Sequence, residues 1–375
     1  DNFISFFSPE SGLKRKRARP AMEIVGRAYE GAKVGRRTDG WVSAGSSANT
    51  EIAAASTKLR DRARDLVRNN AYAAKAVEVF VSNAIGIGIA PQARGEGDDL
   101  NKQIMQAWTL WSNQCDADGI SDFYGLQALA ARAVYESGEC FIRIRDRQFL
   151  DPKVVPFQLQ LLEADYLDTS KRGTAANGGI IIQGIEFDAR GQRTAYWLWQ
   201  QHPGDALNMQ NSLQSVRVPA DQLLHLYRRQ RPGQIRGVSA FAPVIVKMRD
   251  LDEYDEAELV RKKIEACFAA FVVQNTGADG PLLGPSTTNS QGQRVESFEP
   301  GMIEYLRPGE DVKFGNPSSG GNFPDYARIQ LHAIATGLGL TYEQLTSDLS
   351  QVNYSSLRGG LLEFRRMVEG YRWQT

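Results

Sequence analysis

The expected architecture of this chain depends on one stretch, SAFAPVIVKMRDLDEYDEAELVRKKIEACFAAFVVQ, residues 239–274. Ser239 can cap a helix, and Pro243 lies in the first turn, where its missing amide donor does no harm. No further Pro or Gly occurs before Gly277. The pattern therefore predicts one helix over 240–274, about 50 Å long from the helical rise per residue.

An apolar stripe runs along this predicted helix. Its members are Phe241, Val244, Ile245, Met248, Leu251, Leu259, Ile264, Cys267, Phe268 and Phe271. A helix of this length needs a neighbour along its whole length, and no equally long partner is predicted within the chain. Identical subunits packed side by side are the natural solution.

The charge of the chain is balanced in total but segregated along the sequence. The 375 residues include 44 Lys plus Arg and 44 Asp plus Glu, so the formal net charge is zero. Nine basic residues against two acids lie within 14–37, four arginines lie within 228–236, and six acids lie within 250–258. Basic runs of this kind can contact phosphate, and many are only solvated tails. A hydrophobic content of 42% excludes a wholly disordered chain.

Upstream of the long helix, periodicity predicts three further helical stretches. Apolar residues recur at three- and four-residue steps over 50–84, and Gly86 and Gly88 are expected to stop that helix and open a strand. Two more helices are predicted over 100–111 and 123–137.

A β-rich region follows these helices. FIRIRDR, residues 141–147, alternates apolar and basic residues, as expected of a strand with one solvent-exposed face. Further strand-like stretches continue to residue 228, and Asp188-Ala-Arg-Gly191 is predicted as a hairpin turn. Residues 50–238 are therefore expected to form an α+β domain.

Downstream, residues 276–321 form a loop-rich insert with short strand-like pieces at 296–304 and 311–314. A second helix is predicted from residue 325 to residue 336, so the insert lies between two helices and must protrude.

The second helix is closed by Gly337 and Gly339. A polar loop, TSDLSQVN at 346–353, then precedes a final helix that begins near Ser355.

Enzymatic interpretations find little support in the sequence. The three cysteines are Cys115, Cys140 and Cys267; they form no CxxC pair, so neither a disulfide framework nor a zinc site is predicted. The chain has no GxxxxGK[ST] motif and no apolar run near the ~18 residues of a membrane span. The histidines, His202, His225 and His332, lie in no catalytic motif, and His225 is interpreted as a packed strand residue. We predict no enzymatic activity, metal or cofactor.

Four blocks of sequence carry a family resemblance. They are YAAKAVEVFVSNAIGIGIAPQ (72–92), IEFDARGQRTAYWLW (185–199), RPGQIRGVSAFAPVIVKMRDLDEYDEAEL (231–259) and GLGLTYEQLTSDLSQVNYSSLRGGLLEFRR (337–366). In this order they resemble the lambda-type portal proteins, or head-to-tail connectors, of tailed bacteriophages and prophages. The resemblance covers most of residues 50–372.

The resemblance implies an α+β ring subunit of the portal type, with a mixed wing domain, long stem helices and a protruding α/β clip. It implies a ring, typically of twelve copies, at one capsid vertex, with double-stranded DNA passing through its axial channel. The segments would be an N-terminal basic arm (1–49), wing (50–238), first stem helix (239–275), clip (276–321), second stem helix (322–340), tunnel loop region (341–357) and start of a wing or crown helix (358–375).

The resemblance also implies partners and a location. The partners would be the large subunit of terminase, the head completion or adaptor proteins, and the major capsid and scaffold proteins. The location would be the virion, reached after assembly in the host cytoplasm. The expected docking residues of the clip are Glu296, Glu299, Glu304, Arg307, Glu310 and Asp311.

The expected tunnel loop comprises Thr346, Ser347, Asp348, Leu349, Ser350, Gln351, Val352 and Asn353. Most of these side chains are small and polar, and suit contact with a moving DNA backbone without reading its sequence. The alternative is an ordinary connector between two helices.

The acids expected to line the channel are Asp250, Asp252, Glu253, Asp255, Glu256 and Glu258. Repeated around a ring, they would make a negative wall that repels phosphates. The alternative is a solvated helical face supported by pairs such as Glu258 with Lys262.

Two other classes of function stay open at this point. A non-ring DNA-binding protein would use the basic arm and the arginines within 228–236. A nuclease or ATPase would need metal- or ATP-dependent turnover.

Overall fold

The computed structural model describes most of the chain from residue 45 onwards. The described residues are 36, 39–41, 43, 45–95, 97–147, 155–176, 178–205, 214–266, 270–274, 286–288, 294–296, 310–314 and 323–375, with the backbone alone between 264 and 314. The chain divides into two compact units, Asp1–Ser47 and Ala48–Thr375, and every element below belongs to the second. The basic run within 14–37 lies outside the described residues, apart from Arg36.

The predicted helix over 50–84 is two helices, α1 (Ala48–Asn69) and α2 (Ala71–Ala84). Asn70 separates them because its backbone is extended and its side chain accepts a hydrogen bond from Ala73 N at 2.9 Å, which caps α2. Gly86 (φ +62°) and Gly88 (φ +114°) follow the end of α2, as expected.

The prediction that a strand begins after these glycines is wrong. The side chain of Gln127 holds Ile89 by both backbone groups, donating to its carbonyl at 3.0 Å and accepting from its N–H at 2.7 Å. A side chain therefore occupies the hydrogen-bonding groups that a neighbouring strand would need.

Helices α3 (Asp98–Ser112) and α4 (Phe123–Ser137) confirm the two predictions in this region. Asp122 caps α4 by accepting from Gly125 N at 2.7 Å, and Gly138 (φ +94°) ends it in the left-handed region.

Two antiparallel sheets follow. The strands are β1 (Glu139–Asp146), β2 (Phe157–Glu163), β3 (Gly173–Thr174), β4 (Ile180–Ile182), β5 (Ile185–Phe187), β6 (Arg193–Trp199), β7 (Ser215–Pro219) and β8 (Leu223–Tyr227). One sheet has the order β2-β1-β8, and the other runs β3-β4-β5-β6-β7 in sequence order. The predicted turn joins β5 to β6, where Gly191 N donates to Asp188 O at 3.0 Å, so that prediction is confirmed.

The long helix is shorter at both ends than predicted. Helix α5 (Ile245–Ala266) has 22 residues and is about 33 Å long. At its start, Val244 N donates to Phe241 O, three residues earlier. The first α-helical hydrogen bond, to the fourth residue earlier, comes from Ile245 N. At its end, strand β9 (Ala270–Gln274) replaces the helix, because β-branched and aromatic residues fill 271–273.

The described part of the insert contains short strands, β10 (Ser286–Thr288), β11 (Arg294–Glu296) and β12 (Glu310–Phe314). Strand β12 agrees with the piece predicted at 311–314. It pairs antiparallel with β9, so residues 274 and 310, which flank the segment 275–309, lie side by side. Of the piece predicted at 296–304, only residue 296 is described.

Three helices complete the chain, α6 (Phe323–Leu338), α7 (Tyr342–Thr346) and α8 (Tyr354–Gln374). Gly339 (φ +74°) follows the end of α6, but Gly337 lies within its last turn. A Cβ on Gly337 would overlap Val244 Cγ1, so this glycine serves the close approach of two segments.

The larger core lies among the helices and includes Val77, Phe80, Tyr135, Phe241 and Met248, each at most 3% exposed. The start of α5 is therefore embedded in the helical core. Within the part of the chain that the structure describes, no helix is both long enough and apolar enough to cross a bilayer.

A buried ion cluster joins β1, β8 and the segment before α5. Glu139, His225 and Arg236 each have side chains 1% exposed. Arg236 Nε donates to Glu139 Oε1 at 2.8 Å, His225 Nε2 donates to Oε2 at 3.0 Å, and Gly237 N donates to Oε2 at 2.8 Å. His225 is thus a packed strand residue, as predicted.

Candidate functional site

The loop after α7 begins from a rigid helical turn. Thr341 Oγ1 accepts from Gln344 N at 3.3 Å, and the Gln344 side chain accepts from Thr341 N at 3.1 Å, which forms a capping box. Leu345, 1% exposed, anchors α7 in the core. Ser347 then turns the chain with φ +60°, an uncommon backbone conformation for a residue other than glycine.

Asp348 organises the loop. Its carboxylate accepts from Ser350 N at 2.9 Å and from Tyr342 Oη at 3.4 Å, and its own N–H donates to Thr346 Oγ1 at 3.1 Å. Hydrogen bonds from Ser350 lower the pKa of the Asp348 carboxyl, because they favour its charged form.

The eight residues expected in the loop fall into two groups by exposure. The exposed ones are Ser347, Leu349, Ser350, Gln351 and Asn353, and the half-buried ones are Thr346, Asp348 and Val352. Leu349 is 59% exposed, and Asn353 caps α8 by accepting from Ser356 N at 2.9 Å. The loop therefore presents a small polar surface with one exposed leucine.

The six acids of α5 also divide. Asp250, Glu253 and Glu256 are exposed, whereas the other three are half-buried. Glu253 pairs with Arg249 at 2.8 Å along the helix. The acids thus do not form one uniform face.

Asp252 and Asp255 are directed towards the body of the subunit. Asn70 Nδ2 donates to Asp252 Oδ1 at 2.7 Å, so the residue that caps α2 also binds α5. Burial raises the pKa of the Asp255 carboxyl, and the nearby Asp252 charge adds to that effect.

Glu258 pairs with Arg261, and the charge of Lys262, the partner expected from the sequence, also acts on its carboxylate. Arg261 Nε donates to Glu258 Oε2 at 2.8 Å, and this hydrogen bond lowers the pKa of the Glu258 carboxyl. The pair spans three residues, which is the other spacing that brings side chains together on a helix.

Three aromatic contacts were not predicted from the sequence. Tyr254 of α5 packs against Phe323 and Tyr326 of α6, with ring centroids 5.5 and 5.0 Å apart. His332 stacks on Tyr342 at 4.3 Å. No local pattern indicates these pairs, because each joins different elements.

The arginines within 228–236 are largely engaged inside the subunit. Arg236 is buried in the ion cluster, Arg231 pairs with Glu51 at 2.8 Å, and Arg228 lies over the Tyr371 ring at 4.4 Å. Three of the four arginines therefore have contacts within the subunit, and Arg229 is exposed.

One group of side chains within the described residues has the ligand types of a metal site, Glu163, Asp165 and His202. Arg60 and Arg64 each approach Asp165 at 2.8 Å. These two arginines thus already place positive charge beside Asp165, as a bound cation would.

The residues expected in the clip are only partly described. Glu296 lies in β11, and Glu310 and Asp311 lie in β12. Glu299, Glu304 and Arg307 lie outside the described residues.

A mixed helix and sheet body, two helices flanking an insert and a polar loop between α7 and α8 agree with the portal-type subunit expected from the sequence. Residues 34–372 match the model of a family described as phage portal protein, lambda family, and the chain belongs to this family.

Relatives from two phages agree with this assignment. The chain is 30% identical over 318 residues to the "Probable portal protein" of Halomonas phage phiHAP-1, covering 82% of this chain and 61% of that protein. It is 22% identical over 378 residues to the "Portal protein" of Escherichia phage N15, covering 91% of this chain and 70% of that protein. The chain thus spans about three fifths of the length of the Halomonas phage relative.

A solved structure shares the fold. A chain in "Neck of empty GTA particle computed with C6 symmetry" matches with a TM-score of 0.51 at 13% identity, covering 81% of this chain and 76% of that chain. At this identity the likeness supports the fold alone.

Proposed function

We propose that this chain forms a portal ring, of about twelve subunits, at one vertex of a phage capsid. The observation that carries the proposal is its membership of the lambda portal family over residues 34–372. In this role the protein is a structural conduit for double-stranded DNA during packaging and ejection. It performs no chemistry, and a separate motor supplies the energy. Its location is the virion, after assembly in the host cytoplasm.

The segments keep the roles expected from the sequence. Residues 1–49 would be a basic arm, 50–238 the wing, 239–275 the first stem segment, 276–321 the clip, 322–340 the second stem helix, 341–357 the tunnel loop region, and 358–375 the start of a wing or crown helix. Within the first stem segment only α5 is helical, and β9 pairs with β12 of the insert. Helices α5 and α6 flank the insert, which supports the stem and clip assignments.

In this proposal the loop 346–353 touches the DNA backbone. The exposed side chains of Ser347, Ser350 and Gln351 can exchange hydrogen bonds with phosphates and water without selecting a base sequence. Asp348 keeps the loop folded from its half-buried position.

The channel wall would carry the exposed acids of α5, Asp250, Glu253 and Glu256. Repeated around a ring, they repel phosphates, so DNA passes without a strong binding minimum. The half-buried carboxylates Asp252 and Asp255 add to the negative field from behind the surface.

The clip would dock the large subunit of terminase during filling and head completion or adaptor proteins afterwards. Glu296, Glu299, Glu304, Arg307, Glu310 and Asp311 are its proposed contact residues. Major capsid and scaffold proteins would surround the ring.

The competing proposal, a non-ring DNA-binding protein, lacks support. Its arginines at 228, 231 and 236 are engaged within the subunit. Electron microscopy of the purified protein separates the two proposals: we expect rings with a central hole. A salt-sensitive monomer that retards short DNA would overturn the portal proposal.

A further inference from the structure

One side chain lies between helix α6 and the loop that follows α7. The Tyr342 ring stacks on His332, with centroids 4.3 Å apart and planes 21° apart. The guanidinium of Arg328 lies 5.8 Å from the same ring. Arg328 and His332 are four residues apart on α6 and therefore share one helix face. The ring of Tyr342 is thus held against that face of α6.

The hydroxyl of the same side chain reaches the loop. Tyr342 Oη donates to Asp348 Oδ2 at 3.4 Å. The other carboxylate oxygen of Asp348 accepts from Ser350 N at 2.9 Å, which fixes the next turn of the loop. A single side chain therefore contacts α6 through its ring and the loop through its hydroxyl.

The backbone of Tyr342 is itself well fixed. It begins α7, whose capping box joins Thr341 to Gln344 and whose Leu345 is 1% exposed. Because α7 is anchored, a shift of α6 would reach the loop through the Tyr342 side chain more readily than through the chain itself.

We propose that Tyr342 is a positioning residue that couples the placement of α6 to the conformation of loop 347–353. The ring contacts with His332 and Arg328 orient the hydroxyl, and the hydroxyl orients Asp348. That this loop meets DNA rests on the proposed function; the coupling itself does not.

Hydrogen exchange of the full chain, without DNA, tests the coupling. Tyr342→Phe removes the hydroxyl and keeps the ring, and Tyr342→Leu removes both contacts. Tyr354→Phe, at a side chain 78% exposed, makes the same chemical change outside the contact and serves as control. We expect exchange of the 347–353 amides to rise about two- to tenfold in Tyr342→Phe, at least as much in Tyr342→Leu, and not in Tyr354→Phe.

The result that overturns the coupling is unchanged loop exchange in both Tyr342 variants. Hydrogen exchange of the α2 amides should not change in Tyr342→Phe. A general loss of stability would raise exchange in α2 as well as in the loop. DNA transport by assembled particles is measured in a separate experiment. If loop exchange rises and DNA transport is unaffected, the coupling stands and the role of the loop in the proposed function fails.

Discussion

The carboxylate of Glu139 shows how a buried charge is made tolerable. Burial alone would raise its pKa, but Arg236 and His225 outweigh that effect and hold the pKa well below the usual carboxyl range. Burial lowers the pKa of His225 despite the nearby carboxylate. The ion pair of Glu139 with Arg236 is therefore the charged centre of the cluster.

Glu139→Gln should strongly destabilise the subunit, because Arg236 would keep a buried charge without a counterion. We expect the free energy of unfolding to fall by about 3–5 kcal/mol, measured by urea denaturation at neutral pH. Glu78→Gln is the matched control, since Glu78 pairs with Arg132 on the surface and its side chain is 62% exposed. A loss in the control as large as that in Glu139→Gln would contradict this account.

The same pair predicts a pH dependence. Because the folded pKa of Glu139 is lowered, its contribution is complete above the unfolded value of about 4.3 and is lost as the pH falls towards the folded value. The difference in stability between the native chain and Glu139→Gln should therefore narrow below about pH 4. A difference that stays constant down to about pH 3 would argue against a lowered pKa.

At the scale of elements, the contact between α6 and the segment before α5 is close because Gly337 has no side chain. Gly337→Ala should place a methyl group against Val244, which is 1% exposed and stiff because it is β-branched. We expect a loss of about 1–3 kcal/mol in the free energy of unfolding.

Gly359→Ala provides the matched control for this substitution. Gly359 lies inside α8, and an added Cβ would meet nothing within 4 Å. There the helix propensity of alanine should raise stability by up to about 1 kcal/mol. Equal effects of the two substitutions in chemical denaturation would show that helix propensity, not packing, dominates at Gly337.

Local patterns predicted those elements whose ends are set locally. Helix α4 was predicted from periodicity at its observed bounds, and its ends are set by local caps, Asp122 and Gly138. The break at Asn70 was missed because the helical periodicity continues on both sides. The Asn70 side chain also binds Asp252, 182 residues away, and such a partner cannot be seen in a local pattern.

The candidate site was predictable to the same extent. The eight residues of the polar loop could be named from composition, but their division into exposed and half-buried groups depends on Tyr342 and the Asp348 hydrogen bonds. Similarly, the acids of α5 are adjacent in sequence, and only packing against α2 distinguishes Asp252 from Asp250.

At the scale of the whole molecule, the net charge is zero, but basic and acidic side chains differ in where they lie. Several arginines are used within the subunit, whereas Asp250 and Glu256 face solvent. Under the proposed function, these two acids would give the channel wall of an assembled ring local negative charge although the chain is neutral.

Neutralising Asp250 and Glu256 together, by Asp250→Asn and Glu256→Gln, should increase retention of short duplex DNA by assembled rings. The increase should be largest at low salt, because phosphate repulsion is screened as ionic strength rises. Gel retardation across a salt series would measure it. The double variant Glu363→Gln with Glu369→Gln removes the same charge from the exposed surface of α8. An equal increase in both variants would indicate a general charge effect and no channel wall.

The pairing of β9 with β12 has a consequence for how such a subunit can diversify. Gln274 and Glu310 are directly opposite in the ladder, so the two ends of the segment 275–309 are held about 5 Å apart. A segment of any length or sequence with adjacent ends can be grafted between those two residues without changing the register of the ladder. Under the proposed function, a different docking segment could therefore replace residues 275–309 while the rest of the subunit stays unchanged.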